Sequence, residues 1–311
     1  MALKILKNKK AMFFTVLAIS LLSLFILSYS IYSSVQDRGP ITKRIEGMNN
    51  FVFSLERDMS RQMYISGYRA LLGLQNHITS EGVFLTDSEQ AIKEAIINGT
   101  INGNSIPLME GYKLEDLNSK ISELGDKMNL LVEYSIKEVT VSQDDPWNIK
   151  IEILVDSYIK DKGDLAFWNR TNVISSKVEI FGFEDPLYLI NTNGHVTNKI
   201  NKTIYENFVD GEDVSNLSSH VENSYYINSS SAPSFLDRLE GKTTANENGI
   251  ESLVYLPELS AQEIETKDKS CVDYIYFSDD TPEDNGIQEM PSWFRIDDAH
   301  LDDYGVEGLV I

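Results

Sequence analysis

The segment KNKKAMFFTVLAISLLSLFILSYSIYSSV, residues 7–35, decides how the rest of the chain is arranged. No charged residue follows Lys10 within it, and a helix of about 20 apolar residues spans the core of a bilayer. A cleaved secretory signal has a shorter apolar part, of about 7–15 residues. Tyr29 and Tyr32 end the run, and tyrosine prefers the membrane–water interface. Residues 11–35 are therefore predicted to form a retained transmembrane helix.

The predicted orientation of this helix depends mainly on size, because nearly the whole chain lies C-terminal to it. Basic residues precede it at Lys4, Lys7, Lys9 and Lys10, and follow it at Arg38, Lys43 and Arg44. Positive charge favours the cytoplasmic side, but the difference between the two ends is small. Because no second apolar run of spanning length follows, we expect a single-pass protein in the cell membrane. Residues 1–10 would form a cytoplasmic leader, and the C-terminal domain would be extracytoplasmic.

One face of the predicted helix carries small hydroxyl residues. At about 100° per residue, a narrow stripe contains Ser20, Ser23, Ser30 and Ser34. Small residues on one face let membrane helices pack closely and share hydrogen bonds. The stripe therefore indicates either a helix-packing face or a chance cluster of serines, which membrane helices tolerate.

The stretch NKKAMFF, residues 8–14, resembles the N-terminus of type IV pilins and their archaeal relatives. These proteins have a short basic leader, then Gly or Ala, then a long uncharged helix that forms the filament core after leader-peptidase cleavage. The resemblance implies cleavage between Ala11 and Met12. Bacterial pilins carry Glu five residues into the mature helix, where this chain has Val16. This residue departs from the bacterial pattern and leaves the filament register open, but it is compatible with an archaeal-type pilin-like protein.

Three later stretches are similar to uncharacterised archaeal membrane-anchored surface proteins. They are FGFEDPLYLIN, APSFLDRLEG with GIESLV, and VDYIYF. This similarity implies a lineage and a cell-surface location, and it implies no activity.

Composition excludes some partners. The formal net charge is −21, and residues 251–311 contain 16 acidic and three basic residues. This acidity argues against nucleic acid, whose phosphates need Lys and Arg, and against an anionic lipid surface. Divalent cations or basic partners fit better. The single cysteine, Cys271, cannot form an intrachain disulfide and is interpreted as a core thiol.

Five Asn-x-Ser/Thr sequons could accept glycans if the predicted topology is right. They begin at Asn98, Asn169, Asn201, Asn216 and Asn228. Their number does not exceed what chance gives for this composition, so only the topology makes glycosylation a prediction.

A helical region is predicted over residues 37–131. Gly39-Pro40 predicts a kink or a fresh helix start. A stripe close to a heptad repeat then follows at Ile41, Ile45, Met48, Val52, Leu55 and Met59, and lapses at Gln62 and Ser66. A second amphipathic helix is predicted over residues 113–131.

Residues 132–231 are predicted to form an antiparallel β-sheet domain. Apolar residues alternate with Lys150 and Glu152, which is the period of a strand. The Lys-Gly-Asp sequence at 162–164 suits a hairpin. We therefore expect at least three strands over residues 133–183, covered on one face by the preceding helices. The fold class is α+β, with the general plan of a pilin headgroup.

The remaining segments carry weaker patterns. Helical spacing is expected through Val196, Ile200, Ile204 and Phe208, and a loop over 211–233 in which SYYIN could add a strand. Residues 232–311 are predicted as an acidic C-terminal α/β extension. In it, APSFLDRLEG forms a short helix, SCVDYIYF a buried strand, and DDAHLDDYG a short helix or turn. This extension either adds to the first sheet or covers its edge.

No motif of catalytic or cofactor-binding specificity is found in the sequence, so neither an enzyme nor a cofactor is predicted. Asp297 and His300 would share a helix face and could bind a divalent metal, but a solvated acidic face is preferred. The acidic loop SDDTPEDNG, residues 278–286, lacks the spacing of an EF-hand and is interpreted as an ordinary exposed loop. No metal site is predicted.

Three functional hypotheses remain. The first is a membrane-anchored surface protein of the kind of a minor pilin-like subunit, which would contact other such subunits. The second is a single-pass binding ectodomain for a surface glycan or an envelope protein. The third is a tethered hydrolase, which a deep pocket joining residues 297–303 to the sheet would favour.

Overall fold

A computed structural model describes residues 9–311, with side chains for all of them except residues 9–12 and 34–39. The α-helices are α1 Lys9–Glu81, α2 Ser88–Asn98, α3 Leu114–Lys127, α4 Pro186–Asn191, α5 Ser215–Glu222, α6 Phe235–Leu239, α7 Leu256–Ala261 and α8 Asp273–Tyr276. The strands are β1 Thr100–Ile101, β2 Asn104–Ser105, β3 Leu130–Asp145, β4 Asn148–Asp161, β5 Phe167–Glu179, β6 Tyr226–Asn228, β7 Ile250–Ser252, β8 Asp284–Gly286 and β9 Arg295–Asp297. Short 3-10 helices cover Pro107–Met109, Asp298–His300 and Glu307–Leu309. This mixture of helices and antiparallel sheets confirms the α+β class.

Helix α1 is longer than predicted. It runs without interruption through Pro40, so the expected fresh start is wrong. Proline removes one backbone hydrogen bond and crowds the preceding turn, but one missing bond need not end a helix of 73 residues. The helix ends where Gly82 takes a positive φ of 66°, a conformation that glycine adopts at little cost. Residues 1–8, most of the predicted leader, lie outside the described part of the chain.

The buried face of α1 also extends further than the sequence pattern indicated. It continues past Met59 through Met63, Ser66, Ala70, Leu74 and Ile78. The expected lapse at Ser66 is therefore wrong. A straight helix turns every 3.6 residues and drifts away from a 3.5-residue repeat. The buried positions of α1 consequently shift relative to a 3.5-residue repeat, and the buried face continues.

Strands β3, β4 and β5 form the antiparallel meander that the alternating pattern predicted. In β4 the residues Ile149, Ile151 and Ile153 are buried, while Lys150 and Glu152 lie on the other face. The β4–β5 connection contains the Lys-Gly-Asp turn, in which Asp164 has a positive φ of 57°. Helix α1 packs across this sheet, and Gly67 contacts Ile151 and Val178 so closely that no side chain fits between them.

The C-terminal half builds its own core. A second hydrophobic cluster draws on residues from Leu187 to Leu309, whereas Tyr226 of β6, Ile250 of β7 and the apolar residues of α6 belong to the main cluster. Strands β6–β7 and β8–β9 form separate two-stranded sheets. The extension thus adds no strand to the meander, and its helix α6 packs into the main cluster. The boundary expected at residue 232 falls inside the second cluster.

Four local predictions need correction. Helix α3 ends at Lys127, and Leu131 belongs to β3, because Asn129 turns the chain with a positive φ of 58°. Residues 192–210 form irregular backbone with no helix, although Val196, Ile200 and Phe208 are buried. The predicted loop over 211–233 contains helix α5, while its strand is confirmed as β6.

The stretch SCVDYIYF folds as helix α8, preceded by Cys271, and not as a strand. A short apolar run cannot distinguish a buried strand from a buried helix by periodicity. Asp273 is the first residue of this helix, and its Oδ1 accepts a hydrogen bond from the Tyr274 amide at 2.6 Å. The short helix predicted in APSFLDRLEG is confirmed as α6, which begins with a capping box formed by Ser234 and Asp237.

Candidate functional site

The N-terminal part of α1 is a fully exposed apolar surface. From Phe13 to Ser33 the helix is long and apolar enough to cross a membrane, and no part of that span is buried against the rest of the chain. Ser20 and Ser30 are exposed, and Ser23 donates a hydrogen bond to the carbonyl of Ile19 at 2.8 Å. The side chains of Ala11, Met12 and Ser34 lie outside the described residues, so the cleavage site and the packing face stay predictions.

The five sequon asparagines are all exposed: Asn98, Asn169, Asn201, Asn216 and Asn228. Exposure is what a glycan acceptor requires. Modification itself stays a prediction.

Arg44 connects the part of α1 that follows the apolar span to the sheet. Its Nη2 lies 2.7 Å from Asp161 Oδ1, and it donates to the carbonyl of Met128 at 2.7 Å. This contact holds the pKa of Asp161 below its usual value. The charged pair attaches the helix to the β4–β5 hairpin close to the apolar segment.

A buried ionic network lies between residues of the two hydrophobic clusters. Arg238 of α6 is completely buried. Its Nη1 and Nη2 donate to the two carboxylate oxygens of Asp273, each at 3.0 Å. Nη1 also donates to Asp185 and Nη2 to the carbonyl of Ile250. One side chain therefore joins the start of α4 with α6, β7 and α8.

Hydroxyl groups complete this network. Tyr226 donates to Asp185 Oδ2 at 2.8 Å, and Ser252 donates to Asp273 Oδ2 at 2.7 Å. Burial raises the pKa of Asp185, and Arg238 opposes that shift. Burial lowers the pKa of Arg238, but the two carboxylates outweigh it and keep the guanidinium charged. Such a set is suited to holding four chain segments together.

A second cluster of buried polar side chains surrounds His300. Its Nδ1 lies 2.7 Å from Asp297 Oδ1, and its Nε2 lies 2.9 Å from the Tyr274 hydroxyl and 3.5 Å from Glu251 Oε2. Asp297 also accepts a hydrogen bond from Ser270 at 2.7 Å. The interpretation of Asp297 and His300 as a solvated acidic face is therefore wrong, because both side chains are buried.

The charged groups around His300 determine the direction in which its pKa shifts. Burial lowers its pKa, but the hydrogen bond to Asp297 and the nearby carboxylate of Glu251 outweigh burial and raise the pKa to about 10. The carboxylates thus favour a positive charge at this position. Among the described residues, Glu251, His300 and Asp303 form the one group of three or more His, Cys, Asp or Glu residues whose ligand atoms lie within 4.8 Å of one another.

Two other candidates behave as ordinary structural features. Cys271 is buried, as expected of a core thiol, and burial raises its pKa to about 12. In the acidic loop, Asp284 accepts a hydrogen bond from Arg295, while Asp279, Asp280 and Glu283 are exposed.

Two surface grooves lie away from His300. One of about 420 Å³ runs between α1 and the β1–β2 hairpin, and one of about 450 Å³ lies between α2, α3 and β3. Neither is lined by residues 297–303.

No protein-family model, curated protein or solved structure matches this chain. The geometry of its own residues is therefore the basis for any functional argument.

Sequence reasoning missed the Arg238 network and the part that Glu251 plays. A signal was present, since Glu251 and Asp273 are acidic residues inside the apolar runs GIESLV and VDYIYF. Buried acidic residues are rare unless they are paired. The pairing itself joins residues between 35 and 53 positions apart, a separation at which periodicity carries no information.

Proposed function

We propose that this protein is a membrane-anchored, pilin-like subunit of a cell-envelope or filament assembly. The observation that carries the proposal is the form of α1. The first part of this helix is apolar and unburied. The second part packs against the antiparallel sheet, and the helix is uninterrupted between the two.

The exposed apolar span supports an assembled or membrane-inserted state. Large side chains such as Phe13, Phe25 and Ile26 are 62–74% exposed. Soluble monomers rarely expose contiguous apolar patches above a few hundred Å². Such a surface is stable when lipid or other copies of the helix cover it.

The mechanical connection between the helix and the body supports a structural role. Arg44 holds α1 to the β4–β5 hairpin, and from Met48 to Ile78 the helix forms part of the main core. A pull on the apolar span would therefore be transmitted to the sheet without an intervening flexible linker. A subunit that bears load within an assembly needs this property.

Mass spectrometry of the native, membrane-extracted protein tests the proposal. A chain that begins at Met12 is expected, because pilin-type processing would remove the basic leader. A chain that keeps Lys4 to Lys10 would overturn the pilin-like assignment and leave a plain anchored ectodomain.

Disulfide crosslinking in native membranes tests the packing face separately. Ser23→Cys places a thiol on the serine stripe, and Phe25→Cys places one on the opposite side of the same helix. Crosslinked dimers are expected for S23C and not for F25C. The native Cys271 should not interfere, because it is buried. Equal crosslinking of both variants would argue against a defined helix-packing face.

One observation favours the alternative of a monomeric binding ectodomain. Val16 occupies the position at which bacterial pilins carry Glu, so the chain lacks that residue of the filament-forming helix. An uncleaved N-terminus together with absent S23C crosslinks would support this alternative.

A further inference from the structure

The environment of His300 contains more negative charge than its protein partners balance. Glu251 and Asp297 are buried, and Asp303 lies at the surface beside them. The basic group that contacts Glu251 and Asp297 is His300. Even with an imidazolium, three carboxylates face one positive charge. Buried charge is costly unless it is compensated, so this position calls for a cation.

Glu251 supplies an independent sign of a missing ligand. Its Oε1 accepts a hydrogen bond from Tyr304 at 3.1 Å, but its Oε2 is fully buried and accepts no hydrogen bond. The same oxygen points to His300, whose Nε2 lies 3.5 Å away. A buried carboxylate oxygen without a partner carries a large desolvation cost, which a bound cation would remove.

The distances suit a metal ion. Two ligands that lie 2.0–2.1 Å from a tetrahedral Zn²⁺ are about 3.3 Å apart. The 3.5 Å separation of His300 Nε2 and Glu251 Oε2 is close to that value. The ligand atoms of Glu251, His300 and Asp303 all lie within 4.8 Å of one another, so a small movement of the exposed Asp303 would complete three-point coordination.

The surrounding residues already have the arrangement of a second coordination shell. A ligating histidine usually donates its other ring N–H to a carboxylate, which fixes the tautomer and the ring orientation. Asp297 Oδ1 lies 2.7 Å from His300 Nδ1 and is itself held by Ser270. A metal ion would take the place of the proton on Nε2, which passes to solvent, and of the hydrogen bond between Nε2 and the Tyr274 hydroxyl.

We propose that Glu251, His300 and Asp303 bind one divalent transition-metal ion of the zinc type. The mixture of one imidazole and two carboxylates suits Zn²⁺ better than Ca²⁺, which prefers six to eight oxygen ligands. The exposed side chain of Asp303 marks the side from which the ion enters. The ion would join β7 to the C-terminal segment and stabilise the second core, independently of the anchoring role proposed above.

Calorimetric titration of the full-length, detergent-solubilised protein with Zn²⁺ tests this proposal. After treatment with a chelator, the protein should bind one Zn²⁺ per chain. Asp303→Asn should weaken binding at least about ten-fold, as loss of a metal-site group commonly does. Asp302→Asn is the matched control, since Asp302 is an exposed neighbour outside the ligand set, and it should bind like the wild type. Both positions are on the surface, so both variants should fold.

X-ray absorption spectroscopy of the Zn²⁺-loaded protein identifies the ligands. One imidazole nitrogen and at least two oxygens are expected in the first shell. A shell with only oxygen, or no stoichiometric binding, would overturn the proposal, and so would equal affinities of D303N and D302N. The imidazolium of His300 would then be the cation that the buried carboxylates hold.

Discussion

Gly67 of α1 lies directly over Ile151 of β4. A Cβ atom at position 67 would come within 2.2 Å of Ile151 Cδ1 and 2.9 Å of Val178 Cγ2. The missing side chain lets the helix backbone approach the sheet at the centre of the main core. Gly47 is on the same helix, and a Cβ atom added there would have no atom within 4 Å. The two glycines therefore share the helical backbone but differ in how closely other residues pack against them.

The first prediction compares alanine at these two positions. Gly47→Ala should raise the free energy of unfolding by about 0.5–1 kcal/mol, because alanine favours the helix. Gly67→Ala gains the same propensity but overpacks the core, which costs about 1–3 kcal/mol, so we expect net destabilisation. Urea unfolding of both variants in detergent measures the difference. If the two substitutions shifted stability equally, the close approach of α1 to β4 would be incorrect.

The second prediction concerns the buried ionic network. Arg238→Met should lower the free energy of unfolding by about 3–5 kcal/mol, because it leaves Asp185 and Asp273 buried without their cation. Arg61→Met is the control, since Arg61 and its partner Asp58 are 68% and 64% exposed. Surface substitutions of this kind usually change stability by less than about 0.5 kcal/mol.

Thermal unfolding followed by near-ultraviolet circular dichroism checks this comparison. The tyrosines beside Arg238, including Tyr188 and Tyr226, should lose their signal at a lower temperature in R238M. Similar melting curves for R238M and R61M would mean that the network does not hold these four chain segments together.

The third prediction is a pH dependence of stability that arises from His220. This side chain is buried among Phe208, Tyr225 and Tyr304, and burial lowers its pKa from 6.5 to about 3. Between pH 3 and 6.5 the unfolded chain binds a proton at His220 that the folded chain does not. The His220 contribution to stability therefore falls as the pH falls, with a slope of up to about 1.4 kcal/mol per pH unit.

The variant His220→Gln isolates this effect. Glutamine cannot be protonated in this range, so the stability of H220Q should fall less steeply between pH 6.5 and 4.5 than that of the wild type. Urea unfolding at several pH values gives both slopes. Because Thr203 Oγ1 lies 3.1 Å from His220 Nδ1, a constant offset between the two proteins is expected, and the difference in slope is the decisive quantity. Parallel slopes would show that His220 is not buried in its neutral form.

Much of the N-terminal architecture follows from local sequence patterns. The uncharged run before Tyr32 specifies a long apolar helix, and the alternation of Ile149, Ile151 and Ile153 specifies a strand with one buried face. Both signals depend on residues a few positions apart, whose periodicity matches the geometry of a helix or a strand. For that reason the three-stranded meander and its helical cover were predicted, whereas the continuity of α1 through Pro40 was not.

Only the tertiary structure decided which polar and charged side chains meet in the interior. His300 was expected on a solvated face, but Asp297, Glu251 and Tyr274 enclose it from three separate segments. Arg238 lies in a short helix whose local sequence does not indicate burial of a charge, and its partners Asp185 and Asp273 are 53 and 35 positions away. Charge compensation depends on distances across the fold, and local periodicity contains no information about those distances. The sequence by itself thus determined a long apolar helix joined to an antiparallel sheet, and the fold alone determined which charges meet in its interior.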